Sequence, residues 1–396
     1  MAFRHVFMFM FLFTSTVVSG TLLPKIFDVV KYGAIADGKT DNAQAFMRAW
    51  NDACKYGGRS RVWIPRGTFL LGSVLFEGDC NGSMAFLIKG TLKARTDGPN
   101  LFADTWIGFR YVADLTVKGG GILDGQGPAA WAYNDCRNNS RCLPLPATLR
   151  FDFVRDSTVY NLRSVDSKSA HINLFACDNI HISKVRLRAP ANSPNTDGIR
   201  IGSSTRVNIS HSQISTGDDC ISMVSGSQNI DIHDVTCGPG HGISIGSLGR
   251  SHEREYVTGI TVRNCSFIGT DNGVRIKTWA PSRYSVASNI VFRDIVMENP
   301  RNPIVIDQKY CPSPHCDSKV GSSSAVQIKD VTFQNIWGIS SSKVALKLQC
   351  SRAMPCRNIK LIDIVLVYSG PGRRATAQCS HVIGSSYGRL IPDGCL

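Results

Sequence analysis

The sequence has only one long hydrophobic run, and it lies at the N-terminus. Arg4 and His5 precede an apolar run from Val6 to Phe13, and the small residues of TVVSG follow it. A charged start, a short apolar core and small residues are typical of a secretory signal peptide, which is too short to span a membrane. Because no later stretch is apolar enough to cross a bilayer, we expect a signal peptide over 1–20 and a secreted, extracellular mature protein.

Several common functional signatures are also missing. The fourteen cysteines do not form two CxxC pairs, which argues against a zinc site. The stretch GPGHGISIGSLG is rich in glycine but lacks the GK[ST] ending of a phosphate-binding loop. There is no nucleic-acid-binding motif and no tract of clustered lysine and arginine. In a secreted chain the cysteines are better explained as disulfides, which persist outside the cytosol.

The charge balance is strongly positive, because acidic residues are few. The formal net charge is +14, and the predicted signal peptide carries only Arg4. A basic secreted protein favours acidic partners such as nucleic acid, anionic lipid or an acidic polysaccharide. Secretion and the missing nucleic-acid motifs favour the polysaccharide. We expect no nucleic-acid partner and a monomer.

In a secreted chain, two local patterns predict covalent modification: the N-x-S/T triplets and the cysteines near the C-terminus. N-x-S/T triplets are acceptors for glycans in secreted chains, and they occur at Asn81, Asn138, Asn208 and Asn264. Near the C-terminus, the cysteines of CSRAMPC over 350–356 are followed by Cys379 and Cys395. Local disulfides there (Cys350, Cys356, Cys379 and Cys395) would tie down that end of the fold.

Helical patterns are nearly absent after residue 150. Short pieces such as NIDIHDVTC and NIVFRDIVM alternate apolar and polar residues and are separated by turn residues. When TDGIRI, DDCISM and GHGISI are aligned, Asp197, Asp219 and His241 fall in one column at intervals of 22 residues. Such a repeat predicts an all-β, right-handed parallel β-helix whose coils stack about 4.8 Å apart. A leucine-rich-repeat horseshoe is the alternative, but its leucine signature is missing.

One helix is predicted near the N-terminus. Thr40 or Asp41 would cap it, and one apolar face would contain Phe46, Ala49, Trp50 and Ala53. This helix is a candidate to cover the open N-terminal end of the solenoid. No linker is evident, so residues 21–396 are predicted to form one domain.

The stacked column brings acidic residues together on one outward face. Asp197 and Asp219 would lie on adjacent coils, with Asp218 beside them and His241 one coil further on. Arg275 and Lys277, two apart on a strand, would project to the same side, and Arg275 shares the column of Arg200, Ser222 and Ser244. Paired carboxyl groups suit glycoside cleavage, which needs one protonated and one ionised carboxyl. Arginine and lysine would bind a sugar carboxylate.

The sequence resembles the polygalacturonases, family 28 of the glycoside hydrolases. The four signatures of the family occur in order: NTD at 195–197, GDD at 217–219, GHG at 240–242 and RIK at 275–277. The similarity extends from FDVVKYGAIADGKTD near residue 27 to the final cysteines. SPNTDGI, STGDDCIS, CGPGHGISIGSLGR and DNGVRIKTW make it most similar to the plant pollen exopolygalacturonases.

The resemblance implies a role for each matching residue. Asp218 would be the general acid, Asp197 and Asp219 would activate water with inversion, and His241 would help to hold the acid protonated. The remaining implied residues serve substrate binding (Asn195, Arg275, Lys277 and Tyr310) and a disulfide beside the site (Cys220 and Cys237). No metal or other cofactor is implied. The substrate would be homogalacturonan of the plant cell wall, cleaved at α-1,4 bonds from the non-reducing end.

Arg200 departs from the pattern of the family, which usually has histidine at this position. Because Ile199 and Ile201 should point into the coil, Arg200 should point outward, toward the site. One alternative is that Arg200 binds another galacturonate carboxylate. The others are that it pairs with the catalytic aspartates or extends into solvent.

Other functions remain open at this stage. A pectate lyase would bind calcium and use an arginine as its base, an endo-polygalacturonase would cut internally, and a rhamnogalacturonan hydrolase would share the fold. A pectin-binding or allergenic protein with a decayed site is the non-enzymatic alternative.

Overall fold

The computed structural model describes residues 23–97, 105–134, 142–251, 253–312 and 323–396. The predicted signal peptide and Asn138 lie outside these residues. Within them are one α-helix, α1 (Ala43–Lys55), short 3-10 helices at Val29–Tyr32, Gly127–Ala129 and Trp131–Tyr133, and thirty strands. No helix in these ranges is long and apolar enough to cross a membrane.

The strands, in chain order, are β1 (Lys25–Asp28), β2 (Asp37–Asp41), β3 (Ser60–Ile64), β4 (Thr68–Leu71), β5 (Val74–Glu77), β6 (Met84–Ile88), β7 (Thr91–Ala94), β8 (Thr105–Arg110), β9 (Leu115–Lys118), β10 (Ile122–Asp124), β11 (Ala147–Asp152), β12 (Arg155–Tyr160), β13 (Arg163–Val165), β14 (Ile172–Phe175), β15 (Asp178–Ser183), β16 (Arg186–Arg188), β17 (Ile199–Gly202), β18 (Thr205–Ser215), β19 (Ile221–Met223), β20 (Gln228–Cys237), β21 (Ile243–Leu248), β22 (Tyr256–Ile268), β23 (Asn272–Trp279), β24 (Ser285–Glu298), β25 (Asn302–Tyr310), β26 (Val326–Ser340), β27 (Val344–Gln349), β28 (Cys356–Tyr368), β29 (Thr376–Ser380) and β30 (Val382–Ile391).

The strands stack in parallel as a solenoid. One sheet, here called the site sheet, contains β5, β8, β11, β14, β17, β19, β21, β23, β25, β27 and β29 in that order. Two further ladders, through β1–β3–β6–β9–β12–β15 and β2–β4–β7–β10–β13–β16, both end on β18. From β18 onward one long strand per coil continues both ladders, which together form the second sheet. The predicted parallel β-helix is therefore confirmed.

The predicted register of the coils is also present. Arg200 pairs with Ser222, Ser222 with Ser244, and Ser244 with Arg275 on successive strands of the site sheet. The neighbouring column contains buried aliphatic residues, Ile199, Ile221, Ile243 and Val274. Burying these stacked side chains fixes the register, because a slip of one residue would turn them to solvent.

The second sheet bends at equivalent positions in successive coils. Lys184, His211, Asp234, Asn264 and Asp294 all have left-handed backbone conformations, with φ between 49° and 56°. Asparagine and aspartate tolerate this region better than other non-glycine residues, which explains their frequency at these bends. Because each bend lies beside the next, side chains from separate parts of the sequence line one edge of the solenoid.

Helix α1 covers the N-terminal end as predicted. Its residues Phe46, Ala49, Trp50 and Ala53 are buried, and the ring of Trp50 lies 4.9 Å from that of Phe76. The N-cap, however, is Asn42, one residue beyond the predicted Thr40 or Asp41. The Asn42 side chain bonds the backbone of Ile35 and Leu70 instead of the helix, while Asp41 Oδ1 accepts the N–H of Ala43 at 3.0 Å.

Disulfides join cysteines along the described chain. The predicted group near the C-terminus forms Cys350–Cys356 and Cys379–Cys395, and Cys220–Cys237 lies beside β19. A further disulfide joins Cys54 to Cys80. Cys177 and Cys265 are free and buried in the core, where they pack as small apolar side chains.

Candidate active site

The predicted site residues lie at one end of four neighbouring strands of the site sheet. Asp197 comes just before β17, Asp218 and Asp219 just before β19, and His241 just before β21. Arg275 and Lys277 lie within β23. The sheet therefore brings together residues that are up to 80 positions apart in the sequence.

Asp219 is the most buried of the three carboxylates, with 2% of its surface exposed. Its Oδ1 accepts from Arg275 Nη2 and its Oδ2 from Lys277 Nζ, each at 2.7 Å. Ser244 Oγ donates a third bond to Oδ1 at 2.7 Å. Burial alone would raise the pKa of Asp219, but the two cations and these donors lower it to about 2. Asp219 is therefore ionised from mildly acidic to neutral pH.

Asp197 has the opposite electrostatic environment. Burial raises the pKa of its carboxyl to about 7, and the negative charges of Asp218 and Asp219 act in the same direction. Ser222 Oγ donates to Asp197 Oδ2 at 2.7 Å, and the charge of Arg200 lowers the pKa in part. The cluster thus contains one carboxyl that keeps its proton to near neutral pH and one that does not.

Asp218 precedes Asp219 in the chain and remains 20% exposed. His241 Nδ1 lies 3.0 Å from Asp218 Oδ1, and the backbone N–H of Asp219 donates to the same oxygen at 2.7 Å. Asn195 Nδ2 approaches Oδ2 at 3.4 Å. The bond to Asp218 raises the pKa of His241, so that imidazolium faces this carboxylate at acidic pH.

Arg275 and Lys277 have donors left over after they bind Asp219. Arg275 uses Nη2 for the carboxylate and Nε for Ser244 Oγ, at 3.0 Å. Its guanidinium carbon and Lys277 Nζ lie 5.9 Å and 5.2 Å from the ring centroid of Tyr310. Tyr310 in turn packs edge-on against Trp279. These contacts place Tyr310 at the predicted cationic side of the site.

Arg200 points outward between two buried isoleucines, Ile199 and Ile201, and is exposed. It forms no hydrogen bond or ion pair with any residue that the structure describes. The pairing of Arg200 with the catalytic aspartates, one alternative from the sequence, is therefore not seen. Its charge acts on Asp197 at longer range.

Three site residues were not predicted from the sequence. Ser222 and Ser244 donate to Asp197 and Asp219, and Asp271 Oδ2 lies 3.6 Å from His241 Nε2. The available signal for the serines was the column of Ser222 and Ser244, since outward residues on adjacent strands contact each other. Asp271 lies directly before β23, beside Gly240 and in the column of Asp218, but its contact with His241 was not predicted from that column.

The carboxylates could in principle ligate a cation. Ligand atoms of Asp218, Asp219 and His241 lie within 4.8 Å of one another. Both oxygens of Asp219 already accept from Arg275 and Lys277, however. A metal ion would have to compete with these two positive charges, so the cluster is poorly suited to calcium.

The Cys220–Cys237 disulfide braces the strand that follows the acidic pair. Cys220 comes directly after Asp219, and its N–H donates to Gly242 O at 2.8 Å in the next coil. Gly240 lies against the backbone of Asp218, where a Cβ would come within 2.7 Å of Asp218 O. This close approach, together with a φ of 135°, requires glycine beside His241.

Comparisons with known proteins agree with this geometry. The model of "Glycosyl hydrolases family 28" matches residues 54–387. An exopolygalacturonase of Platanus acerifolia is 45% identical over 368 residues, covering 93% of this chain and 97% of that protein. A polygalacturonase of Gossypium barbadense is 46% identical over 374 residues, covering 94% and 91%. Among solved structures, the endo-xylogalacturonan hydrolase from Aspergillus tubingensis shares the fold, with a TM-score of 0.79, 22% identity, and coverage of 92% and 99%. The chain therefore belongs to family 28 of the glycosyl hydrolases and is a glycoside hydrolase.

Proposed function

We propose that this protein hydrolyses the α-1,4-galacturonosyl bonds of homogalacturonan. The observation that carries this proposal is a cluster of three aspartates in which the surroundings of two separate their pKa values. Asp197 has a pKa of about 7, whereas Asp219, against which two cations lie, has a pKa of about 2. Glycoside hydrolysis needs such a protonated and ionised pair.

Asp218 is the proposed general acid, because it remains partly exposed to a sugar chain and contacts both His241 and Asn195. In the free protein the burial of Asp197 favours the proton there. When this proton moves to Asp218, the total charge of the cluster is unchanged. Asp218 becomes the protonated acid and Asp197 becomes an ionised base in the same step. Asp218 then protonates the leaving oxygen, and ionised Asp197 and Asp219 activate water. The proposed outcome is inversion, with water attacking from the opposite face of the sugar.

His241 is proposed to assist Asp218. Its pKa is raised by the hydrogen bond to Asp218, so that at acidic pH an imidazolium lies beside the proposed acid. The structure of the free protein thus supports the contact, while the expected role in holding the acid protonated stays a prediction.

The proposed substrate is acidic because the site and the chain are both basic. The free donors of Arg275 and Lys277 would bind a galacturonate carboxylate, with Tyr310 and Asn195 positioning the sugar. The net charge of +14 favours the encounter with a polyanion. The engagement of Asp219 by two cations is an argument against a calcium-dependent lyase.

We further propose exo action from the non-reducing end, by a monomer secreted to the plant cell wall. The support is the likeness to proteins such as the Platanus acerifolia exopolygalacturonase. Purified protein would be incubated with homogalacturonan, and the early products would be separated by chromatography. We expect single galacturonic acid units and new reducing ends. Early mixed oligomers would contradict exo action, and ultraviolet-absorbing unsaturated products would indicate a lyase instead.

A further inference from the structure

A second cationic surface lies on the second sheet, away from the catalytic aspartates. It is a groove of about 450 Å³, here called the basic groove, lined by Gly120, Asn161, Leu162, Arg163, Lys184, Val185, Arg186, His211 and Gln213. No aspartate or glutamate lines it. None of its residues belongs to the candidate active site.

The basic groove is produced by the stacking of coils. Arg163, Arg186 and Gln213 are register partners on β13, β16 and β18. Lys184 and His211 lie at the left-handed bends of the next two coils. Successive cations are therefore about one strand spacing, roughly 4.8 Å, apart along the solenoid. In the sequence Lys184 and Arg186 are two positions apart, whereas Arg163 and His211 lie more than twenty positions away from them.

The cations of the basic groove are mostly not neutralised by acids. Arg163, Lys184 and Arg186 are exposed, and none forms an ion pair with a described residue. Arg163 Nη2 donates to Gly120 O at 3.0 Å, and Lys184 Nζ to Tyr160 Oη at 3.3 Å. At the edge of the groove, His211 Nδ1 lies 3.6 Å from Oδ2 of the acidic Asp234. Folding thus leaves three permanent charges available for a ligand.

We propose that the basic groove is a non-catalytic anchoring site for a stretch of acidic polysaccharide. Arginine and lysine would bind sugar carboxylates, and the amides of Asn161 and Gln213 would bind hydroxyl groups. Cations spaced along the solenoid axis match a ligand that carries one carboxylate on each sugar. The naming of galacturonan as this ligand rests on the proposed function. Anchoring would keep the enzyme on the cell-wall polymer between cleavage events.

The test compares two charge reversals of equal size. The variant Arg163→Glu/Arg186→Glu alters the groove, and the control Arg357→Glu/Arg389→Glu alters two exposed arginines at the C-terminal end of the same sheet. Both are made in an Asp218→Asn background, and binding to immobilised homogalacturonan is measured at low salt, where screening is weakest. We expect the groove variant to bind at least about fivefold more weakly than the control.

Further measurements separate this proposal from its alternatives. With native Asp218, the groove variant should cleave short oligogalacturonides at the rate of the control, because these engage only the active site. The milder variant Arg163→Gln/Arg186→Gln should lose less affinity for homogalacturonan, and its melting temperature should equal that of the control. Equal binding by groove variant and control would overturn the proposal. So would tighter binding of phosphatidylserine vesicles than of homogalacturonan, which would assign the groove to lipid. If the unsubstituted protein releases no sugar, only the proposed hydrolysis fails.

Discussion

Single residues of this site have opposite charge states because they have different neighbours. Asp219 has Arg275 and Lys277 within 2.7 Å, whereas Asp197 is half-buried near two other carboxylates and has no cation in direct contact among the described residues. The same side chain therefore titrates near pH 2 in one position and near pH 7 in the other. This difference lets the cluster hold one proton beside an ionised carboxylate, and that proton is the one proposed to move to Asp218 in the reaction.

Replacing Asp218 by asparagine should abolish hydrolysis and preserve binding. The amide keeps the size of the side chain but cannot deliver a proton to the leaving oxygen. General acid catalysis is typically worth about 10²–10⁴-fold in rate. Reducing-end assays and calorimetric titration with oligogalacturonides would measure the two effects. Near-normal turnover would show that the acid is another residue.

Replacing Asp197 by asparagine should inactivate the protein but stabilise it at pH 7. The folded pKa of about 7 lies above the ordinary value of 3.8, so folding opposes the ionised form. The contribution of protonated Asp197 to the free energy of unfolding is fully present below pH 3.8 and is lost as pH rises toward 7. Melting temperatures over this range should show a gain at pH 7 that disappears near pH 4.

Asp219→Asn is the matched comparison for that experiment, because the pKa of Asp219 is shifted in the opposite direction to that of Asp197. The lowered pKa of Asp219 means that its ion pairs stabilise the fold above pH 3.8, and this contribution is lost as pH falls toward 2. The variant should melt below the wild-type protein at pH 7, since two buried cations lose their partner. The same direction of change in both variants would contradict the assigned charge states.

Arg200 should contribute to substrate binding and, through its effect on the pKa of Asp197, to the pH dependence of activity. Arg200→Ala should raise KM for galacturonan at every pH, and it should move the basic limb of the pH profile upward, because the positive charge lowers the pKa of Asp197. Arg200→His should lose affinity mainly above about pH 6.5, where histidine discharges. The idea is dropped if both variants keep the wild-type KM at low salt.

At the scale of elements, helix α1 ends the solenoid by burying an aromatic side chain against the first coils. Trp50 contacts Phe76, Phe86 and Phe109, and its Nε1 donates to Glu77 O at 3.0 Å. Stacking alone would leave these rings open to water at the first coil. The helix is thus a structural cap rather than part of the site.

Trp50→Ala should lower the free energy of unfolding by about 3–5 kcal/mol, the usual range for a large aromatic in a core. Chemical denaturation would measure the loss. Ala43, on the same helix but only half-buried, offers a control when changed to serine. Similar stability of Trp50→Ala and Ala43→Ser would show that the helix does not support the core.

At the scale of the molecule, one continuous core runs from Phe27 to Ala375. We therefore propose that residues 21–396 form one domain that unfolds as a unit. Differential scanning calorimetry should show a single transition whose calorimetric and van't Hoff enthalpies agree. Two resolved transitions would instead indicate that part of the solenoid melts separately, as the nearest-neighbour contacts of repeat proteins allow.

The sequence by itself determined the architecture and the column of aspartates and histidine on which the site is built. Alternating apolar residues and the interval of 22 positions were sufficient to predict a β-helix, because each coil repeats the same buried pattern. The column of Asp197, Asp219 and His241 followed from that register. The cap at Asn42 was misplaced by one residue, since the sequence does not show that its side chain binds Ile35 and Leu70.

Only the tertiary structure decided the charge states and the second cationic surface. The pKa values of Asp197 and Asp219 depend on burial and on contacts between coils, neither of which is a property of a local pattern. The same is true of Ser222 and Ser244, which donate across coils, and of Asp271, which approaches His241 from the position directly before β23. The basic groove arises because stacking places isolated cations side by side. Distances between residues remote in the sequence determine electrostatics, and only the folded chain fixes these distances.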